Sequence, residues 1–330
     1  MRDLSPGARV TPRAGLFQTM HWTRTARTHL PAMDDRPALT SDQDRTVGET
    51  LRGAAGNCLA KAHAAITDAT RSDAEAVHDF RRTMKRWRAL LRLAEPFVGP
   101  AARTLRDEAR DLARTLAGAR DGQSALDALA DLEEHGLALP ATSLARLRHR
   151  IEDIRRAAET TLDANMRVRV GGALDRAEDM VASWALSPVT FEALAGELAH
   201  NYGQARRLIP ADWHAAAPEE LHELRKRVVI HRYQLEMVEP VWPRFMKMWT
   251  GEAQRLRDRL GKHQDLLVLA NLTGPHQSLA RWRSRLLPPI AQRRTAHVAA
   301  AERMAARLFL DRPKVVRRRL VELWRIAGGL

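Results

Sequence analysis

Val77-His78-Asp79-Phe80-Arg81-Arg82-Thr83-Met84-Lys85-Arg86-Trp87-Arg88-Ala89-Leu90-Leu91-Arg92 reads as a single amphipathic helix. Val77, Phe80, Met84, Trp87 and Leu91 fall at i, i+3, i+7, i+10 and i+14, which makes one apolar stripe at the helical period. His78, Arg81, Lys85 and Arg88 keep the same spacing one residue out of phase, so a basic stripe runs beside the apolar one. A solvated face usually mixes acids among its bases to gain i,i+4 pairs. Here Asp79 is the only acid among six Arg and Lys side chains. Like charges this dense repel one another, and an anion is expected to offset them.

The pattern occurs twice. Leu221-His222-Glu223-Leu224-Arg225-Lys226-Arg227-Val228-Val229-Ile230-His231-Arg232-Tyr233-Gln234-Leu235-Glu236 repeats it, with His222, Arg225 and Arg232 each 144 positions after His78, Arg81 and Arg88. The same offset pairs Asn57 with Asn201, Glu95-Pro96 with Glu239-Pro240, Leu116 with Leu260 and Asp121 with Asp265. Collinear matches at one offset argue for an internal duplication, and a period this long is a repeated subdomain rather than a solenoid unit.

These residues resemble the CHAD domain (conserved histidine α-helical domain) family. Its mark is a His followed by Arg at +3, bases at +7 and +8 and Arg at +10, in each of two helical halves. The first half here carries His78, Arg81, Lys85, Arg86 and Arg88; the second carries His222, Arg225 and Arg232, with Val229 and Ile230 where two bases are usual. Leu116-Ala117-Gly118-Ala119-Arg120-Asp121 and Leu260-Gly261-Lys262-His263-Gln264-Asp265 are similar to the family's second motif, and Arg312-Pro313-Lys314 through Leu323-Trp324 to its last helix. The resemblance implies two facing helical halves that share a basic central channel. It implies binding of inorganic polyphosphate and targeting to polyphosphate granules, with no catalysis. The polyphosphate contacts it implies are His78, Arg81, Arg82, Lys85, Arg86, Arg88 and Arg120 from the first half. From the second half they are His222, Arg225, Lys226, Arg232 and Lys262.

The rest of the chain agrees with this reading. Ala, Leu and Arg are abundant and aromatic residues make up 5%, a composition that favours helix. No alternating valine-rich segment is present, so the expected class is all-α: two duplicated antiparallel helical bundles related by a pseudo-twofold. A net charge of +14 and a pI near 11 call for an anionic partner. Only six of the 54 bases are Lys. Arg's planar fork suits bidentate phosphate contacts, although a coding bias toward Arg would produce the same count. Cys58 stands alone, which rules out an internal disulfide, and is read as a small buried apolar residue.

Residues 1–40, with Pro6, Pro12, Pro31 and Pro37 and no periodicity, read as a disordered basic tail. Residues 41–330 form the repeated unit, divided near Ser187-Pro188 into halves of about 41–187 and 188–330. Ser41 begins the first helix, and Ser72 or Asp73 caps the basic one. One helix bent near Gly118 is expected over 102–132, and an interruption or kink at Pro288-Pro289. Trp87, Trp242 and Trp324 are read as core residues.

His78 and His222 have no second His, Cys or carboxylate at a ligand spacing, and the surrounding Arg would repel a cation, so neither a metal nor a cofactor is expected. No GxxxxGK[ST] loop, GxSxG elbow or HExxH is present, and no carboxylate cluster that would hold Mg²⁺. Two other functions remain open: a nucleic-acid-binding protein, for which no helix-turn-helix, RRM or zinc signature is visible, and a regulatory subunit of a phosphohydrolase. No run reaches the roughly 18–20 apolar residues of a membrane span, and the N-terminus lacks the apolar core of a secretory signal; a cytoplasmic protein is expected.

Overall fold

Two capping boxes launch the first two helices. In helix α1 (Val47–Thr67) the Thr46 hydroxyl accepts from the Glu49 N–H at 3.2 Å, and the Glu49 carboxylate accepts from the Thr46 N–H at 2.8 Å. In α2 (Asp73–Val98) Ser72 and Glu75 do the same at 3.3 and 3.0 Å. The structure, a computed structural model, describes residues 46–328 except 69, 117, 119, 160 and 161. The tail expected over 1–40 and the helix start expected at Ser41 lie outside the described residues. Among those described, the chain is helical with no strand.

α2 is the predicted basic helix. Its Phe80, Met84, Trp87 and Leu91 are buried, each burial contributing roughly 1.5–3 kcal/mol. Pro96 falls inside its last turn. The proline forfeits one bond from its own nitrogen, and the turn closes beyond it with Gly99, at φ 72°, donating to the Glu95 carbonyl at 2.9 Å.

The expected bent helix over 102–132 is two helices, α3 (Pro100–Thr115) and α4 (Arg120–Glu134). Gly118 stands in the break, where helix propensity is lowest. α5 (Ala141–Ala157) and α6 (Ala164–Ala182) follow, then α7 (Phe191–Arg206) and α8 (Pro218–Met237). α9 (Pro243–Leu272) runs unbroken for 30 residues, and α10 (Arg283–Leu308) and α11 (Pro313–Ile326) complete the chain. Pro288 and Pro289 do not interrupt α10; they lie inside it, past a 3₁₀ turn at Ala280–Trp282. Leu286 and Ile290 on either side are buried, and that packing outweighs the lost backbone bonds.

α2 packs on α1, α3, α7 and α8; α8 packs on α7 and α9; α9 packs on α4 and α10. Two apolar cores result. The larger takes side chains from α1, α2, α3, α6, α7, α8 and α11, the first part of α9 and the second part of α10. The smaller joins α4, α5, the second part of α9 and the first part of α10. α9 passes between the cores over residues 261–265, where its sequence turns polar. From Tyr233 to Met237 every side chain of α8 is buried, as α2, α7 and α9 all pack on this helix.

Candidate functional site

Where α2, α8, α9 and the start of α4 meet, cations converge. Lys85 of α2 is pushed down to about 8, first by the protein around it, then by Arg225, Arg257, Arg81 and Arg120. Arg225 of α8 is pushed down to about 10, first by burial and then by Arg257; Asp265 opposes the shift and Arg120 adds to it. Arg81 is lowered by burial and by Arg120. His222 is lowered by burial, then by Lys226, Arg225 and Arg120, so its ring resists protonation as its cationic neighbours require. These groups form one site contributed by four helices.

Positioning follows from the packing. Arg81 Nη1 donates to the carbonyl of Leu116 at 3.4 Å, the residue that caps the end of α3. Arg225 lies across Gly261, where a Cβ would stand 3.4 Å from its Nε. Among the described residues, Arg81, Lys85, Arg88, Arg120 and Arg225 have no carboxylate within ion-pair distance. The Nε of Arg88, the Nε of Arg225 and the Nδ1 of His222 are buried without a hydrogen-bond partner. A buried polar nitrogen left unpaired is costly, so a partner reaching these atoms would be stabilising. Asp265 hydrogen-bonds Ser124; burial pushes its carboxyl up, while Ser124 and Arg225 pull it down.

Other residues of the sequence-predicted set lie elsewhere. Arg86 is bound to Glu236 of α8 at 2.8 Å, and its guanidinium stands 5.6 Å from the Tyr233 ring centre. Arg232 shares that carboxylate at 3.3 Å, donates to Gln254 at 2.8 Å and lies over Tyr233 at 4.2 Å. Both are consumed in joining α8 to α2 and α9. Lys262 is bound to Asp131 at 2.9 Å and sits within unbroken α9. Lys226 is paired with Glu223 and Arg82 with Asp79. His78 is exposed at the start of the α2 stripe.

Sequence reasoning missed Arg257, which joins the cluster from α9 although it lies outside both repeated motifs and its Nη1 is paired with the adjacent Asp258 at 2.6 Å. Its only signal was position, one helical turn before Gly261. Asp131 was also missed. It is 1% exposed, and Lys262, Arg293 at 2.9 Å and His297 at 3.0 Å surround it, holding its carboxyl far below the usual range despite burial. Trp242, expected in the core, is 47% exposed and stacks on Phe245; Trp87 is buried, and Trp324 packs against the core edge over Phe191. Cys58 is buried, and burial pushes its thiol up to about 11.

Three potential metal-ligating groups converge at His63, Asp175 and Glu178, and again at Asp131, Glu134 and His135. Neither place includes His78 or His222, and the Asp131 oxygens are already engaged by Lys262, Arg293 and His297. No helix among the described residues is long and apolar enough to cross a membrane.

This arrangement can be set beside known proteins. No curated protein matches the chain. Among solved structures, the crystal structure of the CHAD domain from the plant Ricinus communis is similar in fold. Its TM-score is 0.53 at 20% identity, over 86% of this chain and 94% of that one. The CHAD domain matches residues 53–274, from α1 to just past the end of α9, and so takes in both repeated helices and the cation cluster between them. The chain belongs to the CHAD domain family.

Proposed function

We propose that this protein binds inorganic polyphosphate through the cation cluster and thereby docks on polyphosphate granules in the cytoplasm, without catalysing a reaction. The observation that carries the reading is the set of cations Arg81, Lys85, Arg120 and Arg225 without a carboxylate partner, with buried nitrogens of Arg225 and His222 that have no hydrogen-bond partner. A polyphosphate chain has about one charge per phosphate and no bases or sugars. It can bring acceptor oxygens to nitrogens that a duplex is too bulky to reach, which is why we prefer it to nucleic acid. The family is associated with polyphosphate binding in general, which supports the same choice.

The helices support the duplicated plan. An offset of 144 carries α1 onto α7, α2 onto α8, α3 and α4 onto α9, α5 onto α10 and α6 onto α11. The contacts of α1 with α2 and α6, of α2 with α3 and of α4 with α5 have counterparts in α7 with α8 and α11, α8 with α9 and α9 with α10. We read residues 41–330 as two such halves joined along a shared basic channel, with 1–40 as a separate tail.

Each charge-assisted hydrogen bond contributes about 1.5–3 kcal/mol, and counterion release adds a steep salt dependence. The test is a polyphosphate titration across a salt series with duplex DNA as competitor. Tight, salt-sensitive binding that DNA does not displace at equal phosphate concentration is expected; displacement by DNA would falsify the reading.

A further inference from the structure

We infer a second anion subsite on the far side of α8, formed by Arg88 and Arg92 of α2 with Arg227 of α8, which a long polyphosphate chain reaches along α2 and a short one does not. This rests on the polyphosphate reading of the first cluster. Arg81, Lys85, Arg88 and Arg92 recur at +4, +7 and +11, so all four side chains leave α2 within an arc of about 60°. Arg81 and Arg92 are about 16 Å apart along the helix axis. The face therefore continues well past the cluster around Lys85.

α8 divides the two clusters. Arg225 and Arg227 are two residues apart and point about 160° away from each other. Arg225 faces Lys85, Arg120 and Arg257, whereas Arg227 faces Glu223, Arg106 and Arg207, and Arg92 in turn feels Arg227, Arg106 and Glu95. Arg88 stands between, crowded by Arg110, Arg106 and Arg114 of α3.

The acids nearby are already engaged. Glu95 holds Arg103 at 2.9 Å and also Arg106; Asp107 and Asp111 hold Arg110 at 2.9 and 3.0 Å; Glu223 holds Lys226; and Glu197, which faces Arg92, accepts from the Asn201 amide at 2.9 Å. Arg88, Arg92 and Arg227 are left without a carboxylate partner among the described residues. Each also has a buried nitrogen with no hydrogen-bond acceptor: Nε of Arg88, Nε of Arg92 and Nη1 of Arg227. Three orphaned guanidinium nitrogens, in a place where the acids are bound to other side chains, fit phosphate oxygens.

The test uses the full chain, with tripolyphosphate and long-chain polyphosphate as probes. Arg92→Gln with Arg227→Gln is compared with a charge-matched control, Arg303→Gln with Arg318→Gln, both exposed residues. Loss of the subsite should weaken long-chain binding about tenfold or more and change tripolyphosphate binding less than about twofold. Equal losses for both probes, or a long-chain loss no larger than the control's, overturn the subsite. The wild-type protein gives a second readout that needs no variant: its affinity per phosphate must rise with chain length until both clusters are spanned, and a flat series overturns the inference. A wild type that binds neither probe overturns the polyphosphate reading itself.

Discussion

The guanidinium of Arg225 rests on Gly261, with its Nε 3.4 Å from where a Cβ would be. Its counterpart Arg81 meets a different neighbour, the Leu116 carbonyl at the end of α3. The difference follows from the chain between the motifs. In the first half α3 ends at Thr115 and leaves the Leu116 carbonyl for Arg81; the second half stays helical through α9, keeps its carbonyls bonded and offers a glycine as the seat.

Gly261→Ala should fit, because its Cβ meets only ordinary van der Waals contact, and should stabilise α9 by about 0.5–1 kcal/mol. Gly261→Leu should displace Arg225 and weaken polyphosphate binding as far as Arg225→Ala does, with helicity retained. Calorimetric titration with circular dichroism compares them; full affinity in the leucine variant would show that Arg225 needs no fixed seat.

Binding should depend on pH through Lys85. Its lowered value, about 8, means that the free protein loses this charge as pH rises through 8, while a bound polyanion favours the charged form. Binding at pH 8 should therefore take up protons, detectable by titration in buffers of different ionisation enthalpy, and affinity should fall toward pH 9. Lys85→Arg should remove both effects, since a guanidinium remains charged there.

Arg257 should behave as a phosphate contact. Arg257→Gln should lower the slope of log affinity against log salt by roughly 0.7–0.9. An unchanged slope would mean that Arg257 only shapes the local field.

Asp131 should matter for stability rather than binding. Asp131→Asn leaves Lys262, Arg293 and His297 around a neutral group and should cost about 3–5 kcal/mol, read as a drop in melting temperature. Because its folded carboxyl value is depressed, the stability it supplies is present above the unfolded value of about 3.9 and is lost as pH falls.

His231 should make the fold acid-sensitive. It is enclosed by Tyr202, Trp249 and Phe309, neither ring nitrogen has a partner, and burial pushes it down to about 3. Below about 6.5 the unfolded chain binds a proton that the folded one refuses, so stability declines from there toward pH 3. Melting curves between pH 7 and 4 should show a smaller decline in His231→Phe.

Much of this was local and therefore legible in the amino-acid order. The period of Val77, Phe80, Met84 and Trp87, the Ser72 cap, and the repeat at His222, Arg225 and Arg232 all act within a few residues of chain, which suffices to define a helix and the stripe it buries. The fate of a charge is not local. Arg86 and Arg88 stand two residues apart with the same chemistry, yet Arg86 pairs with Glu236 across the α2–α8 contact, whereas Arg88 has no ion-pair partner among the described residues and is crowded by Arg110, Arg106 and Arg114. Arg257 and Asp131 entered their clusters from outside every motif for the same reason. Electrostatic partners act through space over several ångströms, and only the packing of α2, α8 and α9 determined which cations were neutralised and which were left for an anion.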